Sequence, residues 1–230
     1  MILLMLACTN ECETADALAT CLQPTMQADY YVEQSSAYFD TMDYSTDVPA
    51  PPYSEQAARW EWPPWLKLTA YANIEEIDAG LVLLPSVVPE RDCRFFDTQP
   101  FGRCKVVFYY DDHDGKGCPI YEEFIFNDAG EITWIEAWSD LEGYRPTTDA
   151  DPWAEREEAE RLGTRIPGLG TADGAIDLDG EAMLAAAEED EDVADFVYRA
   201  NDWADTWADE VAASGGDRMW ETGCGWSSED

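Results

Sequence analysis

Residues 93–140 read CRFFDTQPFGRCKVVFYYDDHDGKGCPIYEEFIFNDAGEITWIEAWSD, and their reading decides the fold. β-Branched and aromatic residues dominate. Clusters of turn formers interrupt them at Thr98 to Gly102, His113 to Lys116 and Asn127 to Gly130. The pattern predicts four antiparallel strands in a meander. Asp114-Gly115 suits a two-residue loop with positive φ, which sets His113 opposite Lys116, Tyr109 opposite Ile120, Val107 opposite Glu122 and Lys105 opposite Phe124. Asp128-Ala129-Gly130 reads as a three-residue loop with Gly130 left-handed. Phe126 then faces Ile132, Phe124 faces Trp134 and Glu122 faces Glu136. This register gathers Phe124, Phe126, Ile132, Trp134 and Trp138 on one face.

That face carries the candidate chemistry. Glu122 and Glu136 are the candidate catalytic pair, with Tyr109, Phe124, Trp134 and Trp138 as candidate binding residues and Lys105 nearby. Two carboxylates facing each other among aromatic rings cannot both ionise freely, so one pKa rises. A proton-shuttling carboxyl in an apolar pocket is what an isomerase or dehydratase needs. The structural alternative is that Lys105 neutralises the pair, or that the face meets solvent. His113, the single histidine, sits at a hairpin tip with no scaffold to exclude water, and reads as a turn residue rather than a triad member.

Charge narrows the partners. Fifty acidic residues stand against thirteen basic ones, for a formal net charge of −37. With only three lysines the chain lacks the cationic patches that nucleic acid requires, so nucleic acid is excluded as a partner. An anionic membrane surface is disfavoured for the same reason. The acidic surplus reads as a solubility surface. Ten Trp among 230 residues argue for a packed core rather than disorder.

The start, Met1 to Cys8 (MILLMLAC), resembles the tail of a bacterial lipoprotein signal, in which the Cys is acylated. It has no basic n-region and a short apolar run, so simple secretion and an apolar N-terminus docked on the protein stay open. Membrane attachment is expected only through a lipid on Cys8. Setting Cys8 aside leaves Cys12, Cys21, Cys93, Cys104, Cys118 and Cys224, an even set suited to three disulfides in an oxidising compartment. Cys93 and Cys104 flank a turn, Cys12 and Cys21 are local to each other, and Cys118 with Cys224 would tie the C-terminal part to the sheet. None has Cys-x-x-Cys spacing, so neither a zinc site nor a dithiol redox pair is expected.

Along the chain, residues 1–24 read as a signal remnant or lipid-anchor region and tether. Residues 25–39 permit an amphipathic helix through Met26, Tyr30, Glu33 and Ala37-Tyr38. Residues 41–57 read as loop from their Pro and Ser content, and Trp60 to Trp65 as an aromatic turn. A strand is expected over Leu66–Tyr71. A helix is expected from Asn73 to Pro85 on the face of Ile74, Ile77 and Leu81.

The order helix, short strand, helix and long antiparallel strands, closing on EEFIFNDAGEITWIEAW, resembles the nuclear transport factor 2-like superfamily. Its branches include ketosteroid isomerases and SnoaL-like polyketide cyclases. The resemblance covers residues 25–140 and rests on element order and one hairpin. It implies an α+β cone, a curved antiparallel sheet wrapped on helices around a pocket. No catalytic residue is carried over from it.

Residues 141–230 lie beyond that fold and hold half of the acidic residues, so they read as a helical acidic extension packed on the domain. Asp151-Pro152-Trp153 is a helix start, Arg165 to Gly170 a turn-rich linker, and Asp177 or Asp179 a cap for a helix through Ala187. Val193, Phe196, Val197, Ala200, Trp203, Trp207 and Val211 form an apolar stripe expected to dock on the sheet. The acidic turn around Asp112 fails the calcium-loop pattern at Tyr110, and Asp173 to Glu181 fails it at Ala175 and Ala186. No phosphate-cradling loop, dinucleotide fingerprint or His-Glu-x-x-His motif occurs, so neither metal nor cofactor is expected. Two function classes stay open. One is an exported, non-catalytic domain binding a small apolar molecule or a protein. The other is an enzyme of the isomerase, dehydratase or cyclase type.

Overall fold

A computed structural model describes residues 23–62, 86–141, 145–146, 151–154, 161–171, 176–214 and 223–226, with the backbone alone at residue 112 and over 203–214. The expected elements at Leu66–Tyr71 and Asn73–Pro85 lie outside the described residues, as do Cys8, Cys12 and Cys21. What is described is an α+β fold. Helix α1 (Ala28–Met42) precedes strands β1 (Tyr53–Glu61), β2 (Ser86–Phe95), β3 (Gly102–Tyr110), β4 (Lys116–Phe126) and β5 (Ile132–Ser139). Helices α2 (Leu162–Arg165), α3 (Glu181–Glu189) and α4 (Glu191–Ser214) follow. The strands form one curved, unclosed sheet in the order β1-β5-β4-β3-β2, antiparallel except for the parallel pairing of β1 with β5.

The four-strand meander is the expected one, and α1 lies where a helix was expected. Tyr31, Ser35, Tyr38, Phe39 and Met42 recur at helical spacing and are buried on one face of α1. They pack with Phe101, Val106, Phe108, Phe124, Phe126, Ile132 and Ile135 on one side of the sheet. The opposite side holds a second core, in which Ala58, Trp60, Ile125 and Trp134 meet Leu162, Ile166, Leu169, Met183, Val193 and Phe196. Of the expected docking stripe, Val193, Phe196 and Ala200 are buried, while the side chains of Trp203, Trp207 and Val211 lie outside the described residues.

Several expectations are corrected. Residues 53–61 form a strand, not a loop and the start of an aromatic turn. Ala57, Ala58, Arg59 and Trp60 are all buried, because β1 is covered on both faces, and a strand covered twice has no polar alternation to reveal it. The prolines that suggested loop stop at Pro52, just short of it. Strand β2 begins at Ser86, well before Cys93, and tolerates Pro89 at a bulge between Val87 and Glu90.

Both hairpins after β3 depart from the expected register. Asp114 and Gly115 do take positive φ (55° and 68°), but a 3₁₀ turn over Asp111–His113 lengthens the loop. Tyr110 therefore faces Lys116, Tyr109 faces Gly117, Val107 faces Pro119 and Lys105 faces Tyr121. This odd displacement turns each partner to the other face. At the next turn Gly130 is left-handed (φ 80°) and Phe126 faces Ile132, both as expected. A side chain at Gly130 would run into Met26 and Tyr30, whose hydroxyl donates to the Gly130 carbonyl at 2.9 Å. One residue later a bulge intervenes. Ile125 faces Trp134, Glu123 faces Glu136 and Glu122 faces Ala137.

Two disulfides brace the sheet. Cys93 and Cys104 are facing residues of β2 and β3, and Cys118 of β4 joins Cys224, both as expected. Gln99, in the β2–β3 turn, caps the end of β4. Its amide donates to the Phe126 carbonyl at 2.6 Å and accepts from the Phe126 N–H at 3.3 Å.

The second core generates a test. Phe196 is fully buried and stands edge-on to Trp134 at 4.9 Å between ring centroids. Phe196→Ala should cost about 3–5 kcal/mol in urea unfolding, the range for deleting a buried aromatic ring. A cost under about 1 kcal/mol would mean that α4 does not hold the sheet.

Candidate functional site

The expected carboxylate pair does not form. Glu122 lies on the α1 side of the sheet, where its Oε1 accepts from Arg59. Glu136 lies on the opposite side, accepting from the Trp62 indole at 2.6 Å and the Gly163 amide at 3.4 Å. The bulge at Thr133 of β5 is the cause, since one extra residue turns Trp134, Glu136 and Trp138 to the other face. The four expected binding residues are separated too. Phe124 packs under Tyr38 and Phe39 of α1. Trp134 meets Phe196, and Trp138 stacks on Tyr121 at 5.8 Å. Tyr109 donates its hydroxyl to Glu90 near the sheet edge. Lys105, expected to neutralise the pair, binds Asp140 at 2.6 Å.

What the structure assembles instead is a three-residue ion bridge. Glu61 at the end of β1 and Glu122 in β4 both face Ala137, one on each side of β5. Neighbouring strands stand about 4.8 Å apart, so the two glutamate backbones are roughly 10 Å apart. Ala137 puts only a methyl group between them, and the Arg59 guanidinium occupies the gap. Its Nη1 lies 2.5 Å from Glu61 Oε1, and its Nη2 donates to Glu122 Oε1 at 3.0 Å. Glu122 is 0% exposed and Arg59 2%, while the Glu61 side chain, 15% exposed, reaches the rim. Tyr38 of α1 and Tyr110 of β3 lie beside the bridge.

Charge at this depth perturbs Arg59 and Glu122. Burial works against the Arg59 cation, yet Glu122 and Glu61 hold it and keep its pKa well above the ordinary value. Burial pushes the Glu122 carboxyl up to about 7; Arg59 opposes this rise and Glu61 adds to it. Burial also raises the Tyr110 phenol, and the negative charge on Glu61 and Glu122 raises it further. The chemical capacity of the site is therefore an oriented guanidinium beside a carboxyl whose proton is exchangeable near neutrality.

A second buried arginine does mechanical work on the opposite side. Arg103 donates to Glu123 at 2.7 Å and to the carbonyls of Pro152 and Ala154 at 2.9 Å each. Its guanidinium also lies 4.7 Å from the Phe96 ring centroid. A carboxylate, two carbonyls and an aromatic face mark this arginine as a clamp that pins residues 151–154 to the sheet. His113 packs against Tyr110 and Trp226. Among the described residues no group of His, Cys, Asp or Glu is placed to hold a metal ion.

Neither arginine was singled out from the sequence. A signal existed for Arg59, which sits in Ala57-Ala58-Arg59-Trp60, an apolar run where a cation needs a buried partner. No protein-family model matches this chain, and no curated protein matches its sequence.

Two substitutions test the bridge. Ala137→Leu fills the gap that the guanidinium occupies and should cost at least about 3 kcal/mol in urea unfolding, the upper range for overpacking. A cost below about 1 kcal/mol would refute the crowding. Glu122→Gln tests the titration. A carboxyl raised in the folded state stabilises the fold when protonated, and that contribution is lost as pH rises through about 7. Between pH 5 and 8 the parent should therefore lose on the order of 2–3 kcal/mol relative to Glu122→Gln. Parallel pH profiles would contradict this.

Proposed function

We propose that the chain is an exported, non-catalytic binding domain that takes a small, largely apolar molecule on the α1 side of its sheet, with Arg59 donating to the ligand's polar atom. One observation carries the reading. A guanidinium 2% exposed is held among aromatic rings by two carboxylates, and its Nε–H has no acceptor among the described residues. Apolar residues of the same volume would fill that space at equal or lower free energy, so a buried ion bridge has no stabilising purpose of its own. An unmatched donor next to Glu61, whose side chain is 15% exposed, is what a ligand carbonyl or hydroxyl oxygen would satisfy. The nuclear transport factor 2-like reading is part of the proposal. A curved sheet with α1 across one side agrees with a cone whose ligand side is the α1 side. Export rests on the two disulfides, which persist in oxidising compartments.

Catalysis of the isomerase, dehydratase or cyclase kind is the second reading, favoured by Glu122, whose carboxyl at about 7 suits proton transfer near neutrality. The binding reading is preferred because Arg59 already holds that carboxyl and Glu136 is on the far side of the sheet.

Nile red, an uncharged apolar dye with a carbonyl oxygen, tests the binding reading. The parent should show saturable, blue-shifted fluorescence. Arg59→Lys keeps the charge for Glu122 but lacks the Nε donor, and should weaken binding about tenfold, the worth of one hydrogen bond. No saturable binding by the parent, or equal binding by a folded Arg59→Lys, would sink the reading.

A further inference from the structure

The bridge also carries an inference about control. One guanidinium lies between two carboxylates, so with both ionised the cluster holds one uncompensated negative charge. Nothing else described can cancel it. The groups that face Glu122 are Arg59 and Glu61 from β1, Tyr38 from α1 and Tyr110 from β3. Both tyrosines are neutral near neutrality. Strand β5 presents Ile135 and Ala137, and Cys104, which faces Glu122 from β3, is disulfide-bonded. A single proton on Glu122 balances the charge. The same Ala137 also accepts the hydrogen bond that ends the β1 ladder, from the Trp62 amide at 2.9 Å. The ion bridge and the backbone bond just beyond Glu61 therefore close over one residue.

We propose that the Glu61–Arg59–Glu122 bridge is a proton-operated clasp on the end of β1, closed when Glu122 carries a proton and free to open when it does not, so that pH controls access to the α1 side of the sheet. Opening brings Glu61 and Glu122 into water, where both ionise. The open form therefore binds fewer protons than the closed form, and linkage requires that acid hold the clasp shut and rising pH release it. In its purpose the clasp rests on the binding reading, as the regulation of that site; its mechanism does not need a ligand. The indole of Trp62, bonded to Glu136 on the opposite side, is separate from the bridge.

Hydrogen exchange of the Trp62 amide in the full chain, corrected for the intrinsic rate at each pH, reads the opening directly. Its protection factor should fall about tenfold or more from pH 5.5 to 8, while amides of the β3–β4 ladder keep theirs. Glu122→Gln, which mimics the protonated acid, should give high and pH-independent protection. Glu61→Gln removes the surplus charge and should flatten the fall, and it decides the matter if Glu122→Gln does not fold. A flat profile in the parent, an equal fall in Glu122→Gln or in a folded Glu61→Gln, or an equal fall across β3–β4 would overturn the clasp. Loss of the clasp with Nile red still bound by the parent would leave the binding reading standing. Failure of the dye with the profile intact would do the reverse.

Discussion

The extra residue in β5, Thr133 between Ile132 and Trp134, sets which side chains share a face in the strands that matter most. Because of it Ala137, not Glu136, stands opposite Glu122, and Ala137 is also the residue that faces Glu61 from the other side. The methyl group leaves room for a guanidinium that neither a glutamate nor a leucine would leave. Arg59 can then be shared by two carboxylates at very different depths. The unusual ionisation of Glu122 and the coupling of β1 to β4 across β5 both depend on that spacing.

Buried ions pose an energetic question, and the two arginines answer it differently. Arg103 is satisfied by a carboxylate, two carbonyls and an aromatic ring, so its burial is compensated in place. Breaking such a clamp removes the cation from a carboxylate at depth, which is costly. Arg59 instead holds two acids, one of them shifted to near neutrality, and keeps an Nε–H without an acceptor among the described residues. A fold needs the first kind of arrangement to pin a segment. The second kind leaves polarity unmet, which is the feature that the proposed binding site and clasp draw on.

Much of the architecture was legible in the sequence. The Asn127–Gly130 turn, the left-handed Gly130, the four-strand meander, helix α1 and the Cys93–Cys104 bond follow from local rules of turn chemistry and facing geometry, and Cys118–Cys224 is the pairing left once the local pairs are made. What was not legible has a common physical origin. A bulge is one residue long and leaves no mark in the alternation pattern, yet it reverses a whole strand, so the Glu122–Glu136 pair was misplaced. Strand β1, buried on both faces, has no period to detect. Its partner β5 is 71 residues further on from Glu61 to Ile132, and no local rule reaches that far. Glu122, singled out from the sequence, has as its partner a cation from β1 rather than a carboxylate from β5.

The central claim is that burial among aromatic rings, with a shared arginine, leaves Glu122 exchanging its proton near neutrality. A carbon-detected NMR titration of the Glu122 side-chain carboxyl in the parent protein tests it most directly. The account predicts a midpoint near 7. A midpoint at the ordinary carboxylate value of about 4.3 would contradict it, because the bridge would then be an ordinary ion pair fully paid for by Arg59.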